Sequence, residues 1–197
     1  MFIYGEQKNS DRTGLSVVTE FCLVRHGSTD WNIEGRIQGC TDTPLNEQGR
    51  REAARTGREL KEKGWEGIVA SDLSRAGETA KIIGAQLGLE VLYFPELRER
   101  DFGPLEGKRR VELEKKYPGW HPQKDLPGLE SKADLRNRAE RALTYLARIF
   151  AGHRIVVVSH GGLLKAFFHQ ALHTDERSVD NAEAIEVIYA DGVWRFG

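Results

Sequence analysis

The chain has 197 residues, enough to bury a sizeable core in one domain with a small appended segment. Hydrophobic residues make up 39%, charged residues 30%, the net charge is −1, and no apolar run approaches the roughly 18 residues that span a bilayer. This balance excludes global attraction to nucleic acid and a membrane-spanning chain, so any anion binding must come from a local cluster of charge.

Residues 1–18 are mixed and polar, with no positive stretch followed by an apolar one. They read as an N-terminal extension with little to order it rather than as a signal peptide. Organisation begins with a strand from Thr19 to Val24, followed by a loop from Gly27 to Pro44. Asn46 is a good N-cap for a helix that stops before Gly64. Its apolar positions, Leu45, Ala53, Ala54 and Leu60, are sparse, as on a helix lying on one face of a sheet.

Gly67 to Ala70 is a short apolar strand, and Ser74 to Leu87 a helix with the stripe Ala76, Ala80, Ile83 and Leu87, stopped at Gly88. Val91 to Phe94 is a further strand. Pro95 to Gly107 is irregular and rich in alternating charge, Lys108 to Lys116 a short helix, and Pro118 to Gly128 a loop without periodicity. Ser131-Lys132-Ala133-Asp134 resembles a capping box. It opens a helix to about Phe150, with Leu135, Ala139, Ala142, Leu146 and either Ile149 or Phe150 inward. Ile155 to Val158 is a continuous apolar run, expected when both faces of a strand are covered. A helix from Gly162 to Leu172 follows, then a hairpin of Ala184 to Tyr189 and Val193 to Phe196 around Asp191-Gly192.

The βαβα alternation predicts an α/β fold: a three-layer α/β/α sandwich with a mostly parallel central sheet. Residues 19–197 form one domain in this reading, with a small lid at about 104–131. The two cysteines, Cys22 in a strand and Cys40 in a loop, suggest neither a metal site nor a disulfide framework, and a cytoplasmic location is expected.

Three strand ends carry the chemistry. Arg25-His26-Gly27 follows the first strand, Ser71 to Arg75 the second, and Ser159-His160-Gly161-Gly162 the run ending at Val158. Ligands of open α/β sheets bind beyond the carboxyl ends of the strands. A lone Arg-His-Gly triplet is common by chance, but its placement beside the other two points to one shared site. Two guanidinium forks and two imidazoles can clamp a phosphoryl group, and a neutral imidazole can attack it.

The motifs extend further. Leu23 to Asn32, Gln38-Gly39, Asp42-Thr43-Pro44-Leu45, Gly49, Ser71 to Ala76 with Thr79-Ala80, Leu97-Arg98-Glu99, Glu106-Gly107, Glu130-Ser131 and Ser159 to Gly162 occur in order over about residues 20–190. Together they resemble the histidine phosphatase superfamily, also called the phosphoglycerate mutase-like family, and within it the small bacterial broad-specificity, α-ribazole phosphatase-like branch. The resemblance implies that His26 attacks phosphorus and becomes a phosphohistidine. It implies that Arg25 and Arg75 hold the non-bridging oxygens and that His160, protonated against the anion, donates to the phosphoryl group. Glu99 matches the general acid/base position. Asn32, Gln38, Gly39 and Gly161 would line the phosphate and leaving-group side, and Gly27, Gly161 and Gly162 would let the backbone approach an anion.

The same resemblance implies a phosphatase acting on small-molecule phosphate esters, with no cofactor, no metal, and neither nucleic acid nor membrane as partner. A homodimer stays open. The alternatives are a cofactor-dependent phosphoglycerate mutase and a catalytically silent binding module. Mutases of this type carry a longer insertion than Gly107 to Gly128, and a His and a Tyr where this chain has Asp101 and Phe102. A carboxylate at Asp101 would disfavour a second anionic group. No catalytic group is missing, which speaks against the silent module. Lys108-Arg109-Arg110 reads as a solvated face, Glu106 as a charge coating a loop, and His121, His153, His169 and His173 as surface or helix-end residues. Trp120 and Phe102 would line the leaving-group pocket or anchor the lid.

Overall fold

The computed structural model describes residues 16–119, 121, 124–174 and 177–197. Most of the expected extension, and Trp120, lie outside these residues. The elements are β1 (Thr19–Arg25), α1 (Asp30–Ile33), α2 (Glu47–Leu60), β2 (Gly67–Ala70), α3 (Ser74–Leu87), β3 (Val91–Tyr93), α4 (Arg110–Lys116), α5 (Lys132–Ile149), β4 (Arg154–Ser159), α6 (Gly161–Leu172), β5 (Ala184–Ala190) and β6 (Val193–Phe196). The six strands form one sheet in the order β3-β2-β4-β1-β5-β6. β3, β2, β4 and β1 run parallel, and β5 and β6 add an antiparallel edge.

The three-layer sandwich follows from the alternation of side chains along the central strands. Phe21, Leu23, Ile155 and Val157 face α5 and α6, where Leu143, Leu146, Leu163 and Phe167 meet them. Cys22, Val24, Val156 and Val158 face α2 and α3, against Leu60, Ala76, Ala80 and Ile83. Both faces are covered, which is why these strands read as unbroken apolar runs. Burying a side chain such as Phe167 contributes about 1.5–3 kcal/mol. A third, smaller apolar cluster joins Ile37, Phe102, Leu105 and Leu113, so the segment expected to form a lid is anchored by its own core.

Local chemistry sets the boundaries. Asn46 caps α2 by accepting the Gly49 N–H, and Ser131 caps α5 by accepting the Asp134 N–H. Gly88 ends α3 with a left-handed φ of 72°, a conformation that only glycine adopts without strain. Asp191 and Gly192 both have positive φ, as the two-residue hairpin requires.

Two expectations change and one alternative is resolved. The loop after β1 contains α1, a four-residue helix closed by a reciprocal capping box between Thr29 and Asn32. Ile149 is 51% exposed, and Phe150 packs on the core in its place. The short helix starts at Arg110 because residues 107–110 are paired with the loop at 35–37: Gly107 N donates to Ile37 O, Ile37 N to Lys108 O, and Arg110 N to Gly35 O.

Candidate active site

The ends of β1, β2 and β4 lie side by side because β4 is inserted between the other two. Residue 25 is in register with Ser159, and Ala70 with Val158, so whatever follows these residues converges at one sheet edge. There the structure brings together Arg25, His26, Arg75, Glu99 and Gly161 around a cavity of about 440 Å³, which Asn32, Gln38 and Gly39 also line. His160 sits fully buried behind this wall, its ring centroid 5.2 Å from that of His26.

His26 is buried, and its Nδ1 lies 2.7 Å from the carbonyl oxygen of Gly27. A carbonyl only accepts, so Nδ1 carries the proton and Nε2 keeps its lone pair. Burial first, then Arg75 and Arg25, push the imidazole well below its usual range, against the opposing Gly27 hydrogen bond. The ring is therefore neutral, as an attacking imidazole must be. The Asn181 side-chain amide donates to the His26 carbonyl at 3.0 Å and steadies the backbone beneath it.

His160 has the complementary arrangement. Its Nε2 is 2.9 Å from Ser71 Oγ, which also accepts the Leu73 N–H. Its Nδ1 is buried and has no partner. With the Ser71 hydroxyl donating to Nε2, the ring proton sits on Nδ1, ready for an incoming acceptor. Burial and then Arg75, His26 and Arg25 hold this imidazole well below its usual range as well. The protonated His160 expected from the sequence therefore requires an anion to be bound first.

The arginines show the same incompleteness. Arg75 is fully buried and spends its outer nitrogens on uncharged acceptors: Gly39 O at 2.7 Å, Thr41 O at 2.9 Å and Thr43 Oγ1 at 3.4 Å. Arg25 donates to Val179 O at 2.8 Å. The Nε atoms of both are buried without a partner, and neither arginine forms an ion pair among the described residues. Burial lowers both pKa values, with Glu99 the first group opposing it, yet a guanidinium stays charged throughout the working range of a protein. The Nε atoms of two buried guanidiniums and the Nδ1 of His160 thus lie unpartnered near a neutral imidazole.

Glu99 closes one side of the cavity. Oε1 accepts the Arg100 N–H at 2.8 Å and Oε2 the Gly162 N–H at 2.9 Å. Its segment, which begins with a 3-10 turn at Pro95–Leu97, is pinned by Ser159 Oγ donating to Leu97 O and by Arg138, which donates to the carbonyls of Glu96, Arg98 and Glu99. Asn32 and Gln38 turn their carbonyl oxygens inward to each other's neighbours. Asn32 Oδ1 accepts from Thr29, and Gln38 Oε1 accepts from Thr29 and Thr43.

Gly27 acts differently from the expectation, whereas Gly161 and Gly162 line the cavity. A Cβ at Gly27 would collide with the backbone of Gly49, so Gly27 serves a close approach to α2. A Cβ at Gly161 would crowd the Arg25 guanidinium, and one at Gly162 would strike the Glu99 carboxylate. Their bareness makes room for side chains of the site.

Several contributors escaped the sequence reading. Glu106 is a brace: it accepts from the backbone N–H groups of Cys40, Thr41 and Phe102 and so shapes the loop that holds Arg75. Glu52 accepts from Ser28 N and Oγ. Ser71, quoted within a motif, orients His160. Val179 and Asn181 lie in the irregular segment between α6 and β5, where no pattern marks them. Arg110 lines the cavity, whereas Lys108 and Arg109 are exposed as expected. Asp101 does not face the cavity: its Oδ1 accepts the Gly103 N–H and it borders a separate outer cleft. The objection it raised to a second anionic group therefore falls. His121, His169 and Phe102 line the cavity, His153 pairs with Glu66, and His173 caps the C-terminus of α6.

Residues 21–196 match the sequence model of the histidine phosphatase superfamily, branch 1. The Bacillus subtilis strain 168 protein called uncharacterized phosphatase PhoE is 34% identical over 182 residues, covering 90% of this chain and 92% of its own. Phosphoglycerate mutase-like protein 4 of Arabidopsis thaliana is 41% identical over 162 residues, covering 77% and 70%. Among solved structures, a mycobacterial glucosyl-3-phosphoglycerate phosphatase in complex with VO3 superposes with a TM-score of 0.82 at 28% identity, covering 90% of this chain and 96% of that one.

Proposed function

The chain belongs to the histidine phosphatase superfamily, and from that membership we propose that it hydrolyses small-molecule phosphomonoesters through a phosphohistidine on His26. The observation that carries the reading is a set of buried nitrogens without partners. Arg25 Nε, Arg75 Nε and His160 Nδ1 are buried and unpaired, on residues that neighbour His26. Buried donors without acceptors are rare, because each forgoes the hydration it had in the unfolded chain. A bound phosphoryl group supplies oxygens to all three and a charge opposite to the two arginines.

In the first step the Nε2 lone pair of His26 attacks phosphorus in line, and the ester P–O bond breaks. Glu99 delivers a proton to the departing alkoxide. In the second step Glu99 takes a proton from water, the hydroxide oxygen attacks phosphorus, the P–N bond breaks, and inorganic phosphate leaves. Arg25, Arg75 and His160 stabilise the phosphoryl oxygens in both transition states, where their fixed positions count most. Asn32, Gln38, Gly39 and Gly161 bound the path of the leaving group. Every step is assigned to a side chain of this chain, so turnover is expected to survive exhaustive chelation; loss restored by a metal would overturn that assignment. Phosphatase names among the relatives support the reading, and the mutase-like relative supplies the competing one.

The deciding experiment measures phosphate release from a panel of phosphomonoesters beside interconversion of 3- and 2-phosphoglycerate. Release without interconversion is the expected outcome. Efficient interconversion with little release would make the protein a mutase, and neither activity would leave a binding module.

Glu99→Gln isolates the proton-transfer role. Hydrolysis of an alkyl phosphate should slow by roughly 10²-fold or more, within the usual range for a general acid. p-Nitrophenyl phosphate, whose leaving group needs no proton, should lose far less in its first step. The glutamine amide also faces the Arg100 and Gly162 N–H donors, a structural penalty common to both substrates. Equal losses would therefore move the acid role elsewhere.

A further inference from the structure

Beyond the phosphoryl end, the cavity wall is cationic. Lys132 and Arg136 from α5, Lys165 from α6 and Arg110 from α4 all line it. Among the described residues none of the four has an ion pair, and among the described residues of the lining Glu99 is the one carboxylate, already engaged by two backbone donors. Lys132, Arg136 and Lys165 are each only partly exposed, so they are not simply a solvated face.

Their placement runs against helix electrostatics. Lys132 is the first residue of α5 and Arg136 stands one turn on, a like-charge pair at i,i+4 on one face. Lys165 is in the second turn of α6. Cations weaken a helix at its positive N-terminal end. The end of α5 is already met by Asp125, which accepts the Lys132 N–H, and by the Ser131 cap, so what stands unrelieved is the crowding of like charge where α5 and α6 bring their cations to one space. An anion held there would relieve it. The lining also carries apolar Leu135, Ala166 and Val179, which suit a carbon skeleton.

Resting on the phosphomonoesterase reading above, we infer that the cavity has a second anion subsite, formed by Lys132, Arg136 and Lys165 with Arg110 at its rim. The substrate class it selects is a phosphate ester that carries a second anionic group, carboxylate or phosphate, beyond a short carbon skeleton.

Two matched substrate pairs test this and separate the two anions. 3-Phosphoglycerate against glycerol 3-phosphate reports a carboxylate, and fructose 1,6-bisphosphate against fructose 6-phosphate reports a phosphate. The wild-type protein should favour the dianion-bearing member of at least one pair by tenfold or more in kcat/KM, through KM. The Arg136→Gln/Lys165→Gln double variant should reduce that ratio at least fivefold, and added salt should compress it. Hydrolysis of all four esters without preference, or equal losses on both members of each pair, would overturn the subsite and leave the phosphatase reading standing. Failure to hydrolyse any ester would overturn the phosphatase reading. Calorimetric titration of His26→Ala with the same four ligands then decides the subsite without turnover, by the same preference and its loss in the added double substitution.

Discussion

Replacing His26 with Ala should reduce phosphate release by roughly 10⁴-fold or more, the scale seen when a covalent nucleophile is lost. The remaining site would still bind phosphate through Arg25, Arg75 and His160, so binding should survive while turnover does not. Wild-type protein quenched during turnover should carry an acid-labile, base-stable phosphoryl group, and the variant none. Retained turnover would sink the nucleophile assignment. The same substitution has a signature in stability. His26 and His160 are both held neutral well below the ordinary imidazole range, while in the unfolded chain each binds a proton below about pH 6.5. The unfolded state then holds more protons than the folded one, so stability is present above that pH and is lost on acidification. Each histidine contributes at most about 1.4 kcal/mol per pH unit to this loss. His26→Ala should remove one of the two contributions between pH 6.5 and about 5, before carboxylates begin to titrate. An unchanged slope in denaturant titrations across that window would contradict the burial argument.

The second large effect is expected from Arg75→Met. The substitution keeps much of the volume of a fully buried side chain but removes its charge and the unpaired Nε donor. kcat/KM should fall by roughly 10²–10³, as when a fixed donor to a developing oxyanion is deleted. Vanadate makes the point without catalysis. At 100 times its dissociation constant a ligand adds about 2.7 kcal/mol, which in a chain of this size raises Tm by roughly 5–10 °C. The wild-type protein should show that rise and the variant less than a third of it. Without ligand two effects oppose each other: a buried unpaired cation disappears, but the Gly39 and Thr41 carbonyls lose their donor. A variant with full activity and a full vanadate shift would mean that Arg75 is structural alone.

The central strands, α3 and both histidines were legible because each rests on a local signal. Ile155 to Val158 could only be a strand covered on both faces, and Gly88 could only be a stop. α1 was not legible, since four residues give no periodicity and its cap depends on Thr29 and Asn32 finding each other. Asp101 and Glu99 are two residues apart and both border the outer cleft, yet only Glu99 also lines the cavity. Only the Arg138 and Ser159 bonds that fix the backbone between β3 and α4 decide this. Gly27 read as a ligand-facing glycine because a motif names a residue type and not the neighbour it meets. The cations of α5 and α6 were invisible for the opposite reason. Spread over two helices, they become a cluster only after the sheet has placed those helices around one space.

The strand order sets a condition on how the protein comes to exist. β1 and β2 emerge first from the ribosome, but they are not neighbours; β4, made much later, fits between them. At about 5–20 residues per second, the gap between them stays open for several seconds of synthesis. During that time two apolar strands present unpaired inner edges, the form of exposure most prone to aggregation. Closing this slot is a long-range pairing event and so a slow one. It is also the event that carries His160 to His26. The arrival of β4 therefore assembles the candidate site and covers the facing edges of β1 and β2 in one event.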